Sequence, residues 1–189
     1  MTQQGKNAID LVLAESLIEL SAKKPIDKIT IKEITDKAGV IRPTFYNHFQ
    51  DKYELIEWII KRELLEPIKP LLNAGMIFEA IVLMLNNISA NSVFYKKALK
   101  LEGAVTFNQI AMKCVYEMFM NIISEKSTGK KSKYRWLTPE VISTYYAQSL
   151  CFITEGWIAQ GMDDIEPKEM AEAYMYLITR SMDDILSEL

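Results

Sequence analysis

The stretch from Ile29 to Phe49 constrains this chain more than any other, because two helices of fixed phase must meet there across a short turn. Thr30 and Glu33 have the Ser/Thr-x-x-Glu spacing of a capping box. In that motif the hydroxyl and the carboxylate each satisfy a backbone N–H that the first helical turn leaves unpaired. A helix is therefore expected from Thr30. Ile31, Ile34, Thr35 and Ala38 fall at i, i+3, i+4 and i+7 and form one apolar face, while Lys32, Glu33, Asp36 and Lys37 turn to water. Gly39 closes the helix, as the residue that most readily takes the left-handed conformation past a C-terminus.

A second short helix follows, in which Pro43 suits the first turn because its missing N–H has no intrahelical acceptor there. At ~100° per residue, Phe45 and Phe49 share a face that is expected to be core. Arg42, Pro43, Thr44, Tyr46, Asn47 and His48 are then left outside. Small and hydrogen-bonding groups on one short helix suit a DNA major groove, which admits a single helix and is read by such groups. Double-stranded DNA is the expected partner.

The run Ala38-Gly-Val-Ile-Arg-Pro-Thr-Phe-Tyr-Asn-His-Phe-Gln-Asp-Lys-Tyr-Glu-Leu55 resembles the signature of TetR-family transcriptional regulators. That pattern is a Gly-Val turn, a pair of small residues, an aromatic Tyr, a His-Phe pair and Lys-x-x-Leu. The match covers roughly the first third of the chain. One position departs: the family's usual Ser or Thr before Arg42 is here Ile41, a poor helix cap.

The resemblance implies an all-α fold, with a helix-turn-helix DNA-binding domain over residues 1–52 and a helical effector-binding and dimerisation domain over residues 53–189. It also implies site roles. Arg42 can donate two hydrogen bonds to guanine, Pro43 can touch a thymine methyl, and Thr30, Thr44, Tyr46, His48 and Lys52 would contact phosphates. Asn47 faces outward and can read adenine or bond a phosphate. Plainer roles stand beside these: Thr30 as a cap alone, Pro43 as a stiffener of the first turn, Tyr46 as half core.

Charge agrees weakly with this division. The formal net charge is -3 over 189 residues, yet residues 1–53 carry eight Lys/Arg against seven Asp/Glu. One basic face suffices for a nucleic-acid footprint. A content of 49% hydrophobic and 10% aromatic residues is ample for a core. Cys114 and Cys151 form no C-x-x-C and read as small buried hydrophobes. The longest apolar run, Ala80 to Leu85, is too short to span a bilayer, so a soluble cytoplasmic protein with no membrane partner is expected. No catalytic constellation recurs, the single histidine lies on the reading helix, and neither a metal nor a cofactor is implied.

Helical spacing predicts a first helix over Asn7 to Ser21, broken around Pro25. After the reading helix, Asp51-Lys-Tyr-Glu54 opens another helix towards Pro67, a stiff rod between the domains; Pro67 and Pro70 then bracket a turn. Further helices are expected over Met76 to Ile88, Asn91 to Lys100, Thr106 to Ser124, Thr138 to Gln160 and from Pro167 to the C-terminus, about nine in all. Lys126 to Lys133 is expected to be a basic loop, with phosphate binding as its less favoured role.

The family resemblance makes the last two long helices a dimer interface, for which Tyr145, Ile153, Trp157, Tyr174, Leu177, Ile178 and Ile185 are the candidates; both helices are apolar on opposing sides. Two-fold pairing spaces two reading heads for a palindromic operator. Candidate pocket residues in the second domain are Phe78, Phe94, Phe107, Tyr116, Phe119, Tyr145 and Phe152, set among nine of the ten methionines. Few charges interrupt this region, which favours a mostly apolar effector.

Phe94-Tyr-Lys-Lys-Ala-Leu-Lys100 with Glu102-Gly103 is similar to a TetR subgroup that includes regulators of dihydroxyacetone-kinase operons. Some members of that subgroup take their input from a partner protein. The favoured expectation is a homodimeric repressor released by an effector, and the alternative is a coactivator switched by a protein partner.

Overall fold

The computed structural model describes residues 3–103, 105–126 and 133–188, the first four of them by backbone alone. Most of the expected basic loop at 126–133 lies outside the described residues. Among the described residues there is no strand.

Three helices make the N-terminal head: α1 (Gln3–Lys23), α2 (Ile31–Ala38) and α3 (Arg42–Tyr46), with a 3-10 turn at Ile26–Lys28. The Thr30–Glu33 capping box forms in full, and Gly39 takes the left-handed conformation at φ 69°. Ile41 caps α3 without a side-chain hydrogen bond, as its aliphatic chain dictates. Phe45 and Phe49 are buried in the same core as Leu13, Ala14 and Leu17 of α1, while Val12 stays exposed.

The rod leaving the head is longer than expected. α4 (Lys52–Ile60) runs through a π-helical segment (Lys61–Leu65) into α5 (Glu66–Asn73), so Pro67 and Pro70 lie inside a continuous helix. Proline lacks the N–H that would bond the carbonyl four residues back and its ring crowds that carbonyl, so an unperturbed α-helix would break. The π segment widens the turn just before Pro67. Asn87 Nδ2 donates to the Glu63 carbonyl at 2.8 Å, satisfying the acceptor that Pro67 cannot.

Around this rod pack α6 (Ile77–Ala90), α7 (Ser92–Ala98), α8 (Phe107–Lys126), α9 (Pro139–Ala159), α10 (Pro167–Thr179) and α11 (Met182–Glu188). The last expected helix is two, because Ser181 starts a second capping box: Asp184 N–H donates to Ser181 Oγ at 3.1 Å, and Ser181 N–H donates back to Asp184 Oδ2 at 3.2 Å. α8 is central, burying Phe107, Ile110, Cys114, Val115 and Met118. One cluster of buried side chains runs without interruption from Leu13 in the head to Tyr174 in α10, passing through Leu55, Ile56, Ile59 and Ile60 of α4. No single helix among the described residues is long and apolar enough to cross a membrane.

Candidate nucleic-acid interface and second-domain cavity

The outer face of α3 presents Arg42, Pro43, Tyr46 and Asn47 to solvent, with Thr44 half-buried. Arg42 Nη2 donates to the Tyr46 hydroxyl at 3.2 Å, and the guanidinium sits 5.9 Å from the Tyr46 ring centroid. This (i, i+4) contact steadies a long side chain without consuming its charge. Most nearby cations are already neutralised: Lys24 by Glu33 at 2.5 Å, Lys28 by Asp27 at 3.3 Å, Lys32 by Asp36 at 2.7 Å and Lys37 by Glu19. Among the described residues Arg42 has no acidic partner.

Three residues of the expected set are engaged within the head. The His48 side chain is 2% exposed, and its Nδ1 lies 2.6 Å from Oδ1 of the buried Asp10 on α1. This corrects the placement of His48 on the exposed face: the ring pins the end of the reading helix to α1. Asp10 had a legible signal, since it lies at i−3 and i−7 from Leu13 and Leu17 on the buried stripe of α1.

Lys52 turns inward as well. Its ammonium donates to the carbonyls of Ile26, Asp27 and Ile29 at 3.0, 2.7 and 3.1 Å, stapling the 3-10 turn to the start of α4, and burial pulls its pKa below the usual lysine value. A phosphate contact by Lys52 would have to break some of these bonds. Thr30 Oγ1 accepts from Glu33 N–H at 3.3 Å and donates to Glu33 Oε2 at 2.8 Å, the capping role in place. Hydrogen bonds from Lys24 and Thr30 hold the Glu33 carboxyl down at about 2.

A charge network joins the rod to the second domain. Glu57 on α4 accepts from Lys113 on α8 at 2.8 Å and from Lys61 at 2.7 Å, and Lys61 also meets Glu117 at 2.8 Å. Burial pushes the Glu57 carboxyl up, but the two lysines outweigh it and hold it below the usual carboxylate range. Any rotation of α4 against α8 must therefore rearrange these bonds.

In the second domain a cavity of about 40 Å³ lies between the π segment, α6, α7, α8 and α9, lined by Ile60, Leu64, Met84, Tyr95, Phe107 and Thr154 among others. Of the expected pocket residues only Phe107 lines it. Phe94 is buried in the core beside Tyr95, Phe119 packs on Tyr146, and Phe78 and Tyr116 are partly buried against the core. Tyr145 and Phe152 are 61% and 75% exposed, so they do not line this cavity. Phe152 instead borders a groove between α9 and α10, and Tyr145 one beside Trp136.

The dimer candidates divide likewise. Trp157 is buried and its Nε1 donates to the Ile165 carbonyl at 2.9 Å; Tyr174 is buried with its hydroxyl 3.0 Å from Ser149 Oγ. Both belong to their own subunit's core, which corrects their assignment. Tyr145 and Leu177 are exposed, and Ile153, Ile178 and Ile185 are half-buried. Cys114 and Cys151 are free and buried, and burial pushes both thiols up to about 12. Among the described residues no cluster of acids, cysteines and histidine could hold a metal ion.

An all-helical chain with a helix-turn-helix head on a rigid rod defines a DNA-binding regulator. Residues 15–59 match the bacterial regulatory proteins of the tetR family, and residues 76–180 match a TetR-type transcriptional regulator C-terminal region. The chain belongs to the TetR family of transcriptional regulators. It is 26% identical over 152 residues, 79% of each chain, to the HTH-type dhaKLM operon transcriptional activator DhaS of Lactococcus lactis subsp. lactis (strain IL1403). In fold it is similar to the dihydroxyacetone kinase operon activator DhaS (TM-score 0.63, 21% identity, 90% and 93% of the two chains). It is also similar to native NalD, the secondary repressor of the MexAB-OprM multidrug efflux pump in Pseudomonas aeruginosa (TM-score 0.59, 12% identity, 92% and 96%).

Proposed function

We propose that the chain is a homodimeric one-component regulator that binds a palindromic operator through α3 and acts as a repressor, released when its second domain is occupied. The observation that carries DNA reading is the exposed Arg42, free of any acidic partner among the described residues and steadied on Tyr46. Arg42, Pro43 and Asn47 are the base-reading candidates, and Thr44 and Tyr46 the phosphate-contacting ones. Dimerisation is supported by the exposed Tyr145, Gln148, Phe152, Gly156 and Ala159 on α9 and by the exposed Ala173 and Leu177 on α10. A Cβ added at Gly156 would meet nothing within 4 Å, so a partner helix can approach closely there. Release needs only an effector that prefers the non-binding arrangement by a few kcal/mol.

Fluorescence titration against the DNA upstream of the protein's own gene tests this. Binding is expected from dimers and weakens steeply with salt. Arg42→Ala is expected to lose about 1–3 kcal/mol of discrimination between operator and scrambled duplex while leaving the melting temperature unchanged. A wild type that prefers no sequence at low salt sinks the proposal.

A second reading, an activator switched by a protein partner, is favoured by the similarity to the activator DhaS and by the exposed Trp136, at 74%. A reporter fused to the operator separates the two: deletion of the gene raises expression for a repressor and lowers it for an activator.

A further inference from the structure

The reading helix α3 is five residues long, and so short a helix does not hold a direction by its own hydrogen bonds. Its start is loosely held: Ile41 gives no side-chain cap and is 69% exposed. Phe45 and Phe49 sink its inner face into the core, but apolar burial is non-directional and leaves rotation and sliding about that face open. The directional contact is at the other end. His48 Nδ1 lies 2.6 Å from Asp10 Oδ1 with both side chains almost wholly buried, and among the described residues this is the only side-chain hydrogen bond or ion pair from residues 42–49 to α1 or α2. An ionised carboxylate only accepts, so Nδ1 carries the proton and donates. α1 in turn packs on α2, α4 and α7, so Asp10 ties the reading helix to the frame of the whole molecule. Stability alone does not call for the pair, because well-packed apolar residues in place of a buried ion pair are often as stable or more so.

We propose that Asp10 is a positioning residue for DNA reading: through His48 it sets the angle of α3, and so the place where Arg42 meets a base pair. This inference rests on α3 as the reading helix. Asp10 is 6% exposed, too buried to touch a duplex, so whatever it does to binding passes through His48. Arg42 lies a few residues away along the same segment, a lever of roughly 9 Å at ~1.5 Å per residue. A swing of about 10° at the His48 end then moves the Arg42 backbone by roughly 1.5 Å, more than a paired hydrogen bond to a base edge tolerates. Phosphate contacts are less demanding, because they carry no sequence information and long side chains can follow the backbone. Loss of Asp10 should therefore cost discrimination before it costs general affinity.

The test uses the full chain and fluorescence anisotropy over a salt series, against the DNA upstream of the protein's own gene and a scrambled duplex. Asp10→Ala is expected to lose about tenfold or more in affinity for the upstream DNA, while affinity for the scrambled duplex and the slope against salt stay at wild-type values. Asp10→Asn keeps an acceptor for the Nδ1 proton and is expected to bind within about threefold of wild type. His48 is the chain's only histidine, so nitrogen NMR spectra of its ring read the contact directly. Nδ1 is expected to keep its proton in wild type and Asp10→Asn, and to share it with Nε2 in Asp10→Ala. If Asp10→Ala does not fold, Asp10→Leu combined with His48→Phe replaces the pair by apolar groups; it is expected to melt at the wild-type temperature or above it and still to lose discrimination. Either variant reading the upstream DNA as wild type does overturns the inference. So does equal loss on both duplexes, or a double variant that does not fold, since the pair is then structural. A salt slope reduced by about one in the double variant makes His48 a phosphate contact and overturns it as well. Wild type that prefers no sequence fails reading by α3 and this inference with it, whereas preference in wild type that Asp10→Ala leaves intact fails this inference alone.

Discussion

The head buries both of its phenylalanines, whereas the second domain leaves some of its largest aromatics at the surface. In the head, Phe45 and Phe49 are 0% and 4% exposed, and the polar groups around them find partners within the same chain, His48 on Asp10 and Lys52 on three carbonyls. In the second domain Phe152 and Trp136 are 75% and 74% exposed, while the hydroxyls of Tyr95, Ser143 and Thr154 are buried without partners. A self-sufficient unit hides its apolar surface and pairs its polar groups; one built for company does the reverse. The second domain thus carries the larger exposed aromatics and the unpaired buried hydroxyls, and the surroundings of the two phenylalanines in the head carry neither.

The contrast breaks first at Phe45. Phe45→Ala is expected to cost about 3–5 kcal/mol and to abolish operator binding, read by urea denaturation and anisotropy; a loss below 1 kcal/mol would deny that the head has a core of its own. Next comes Phe152→Asp, expected to leave protomer stability nearly unchanged while weakening self-association by about 2–4 kcal/mol, measured by sedimentation over a concentration series. An unaltered sedimentation profile would show that this aromatic does not serve an interface.

Lys52→Ala sharpens the head's side of the comparison. Removing a charged donor from three carbonyls is expected to cost about 1.5–3 kcal/mol of stability. The slope of operator affinity against salt should not change; a slope reduced by about one would return Lys52 to the phosphate-binding set. The smallest effect belongs to Glu33. Its folded carboxyl is held at about 2 against an ordinary 4.5, so the cap contributes fully above 4.5 and is lost as pH falls towards 2. Melting temperatures of wild type and Glu33→Gln should therefore converge between pH 5 and pH 2, and parallel curves would remove the cap from the account.

Legibility followed the range of the interactions. The Thr30–Glu33 box, the Gly39 turn and the Asp51 start of the rod rest on residues a few positions apart, and each formed where the spacing placed it. The same logic would have found the Ser181–Asp184 box that splits the last helix. The continuous rod through Pro67 was not legible, because it depends on an amide from Asn87, twenty-four residues away from Glu63. Pocket and interface residues were the least legible. Helical spacing tells which residues share a face, and in a domain whose helices are apolar on several sides it does not tell which neighbour that face meets.

What the amino-acid order determined alone is the all-helical class, the head with its two anchoring phenylalanines, and Arg42 on its outer side, because these follow from periodicity and capping within a few turns of chain. The tertiary structure decided that His48 and Lys52 turn inward, that Trp157 and Tyr174 belong to the core, and that the cavity between the π segment and α8 is walled by Tyr95 and, of the suggested aromatics, by Phe107. Those outcomes depend on which distant backbone carbonyl, carboxylate or helix arrives beside a side chain. That is a property of packing, which local pattern does not encode.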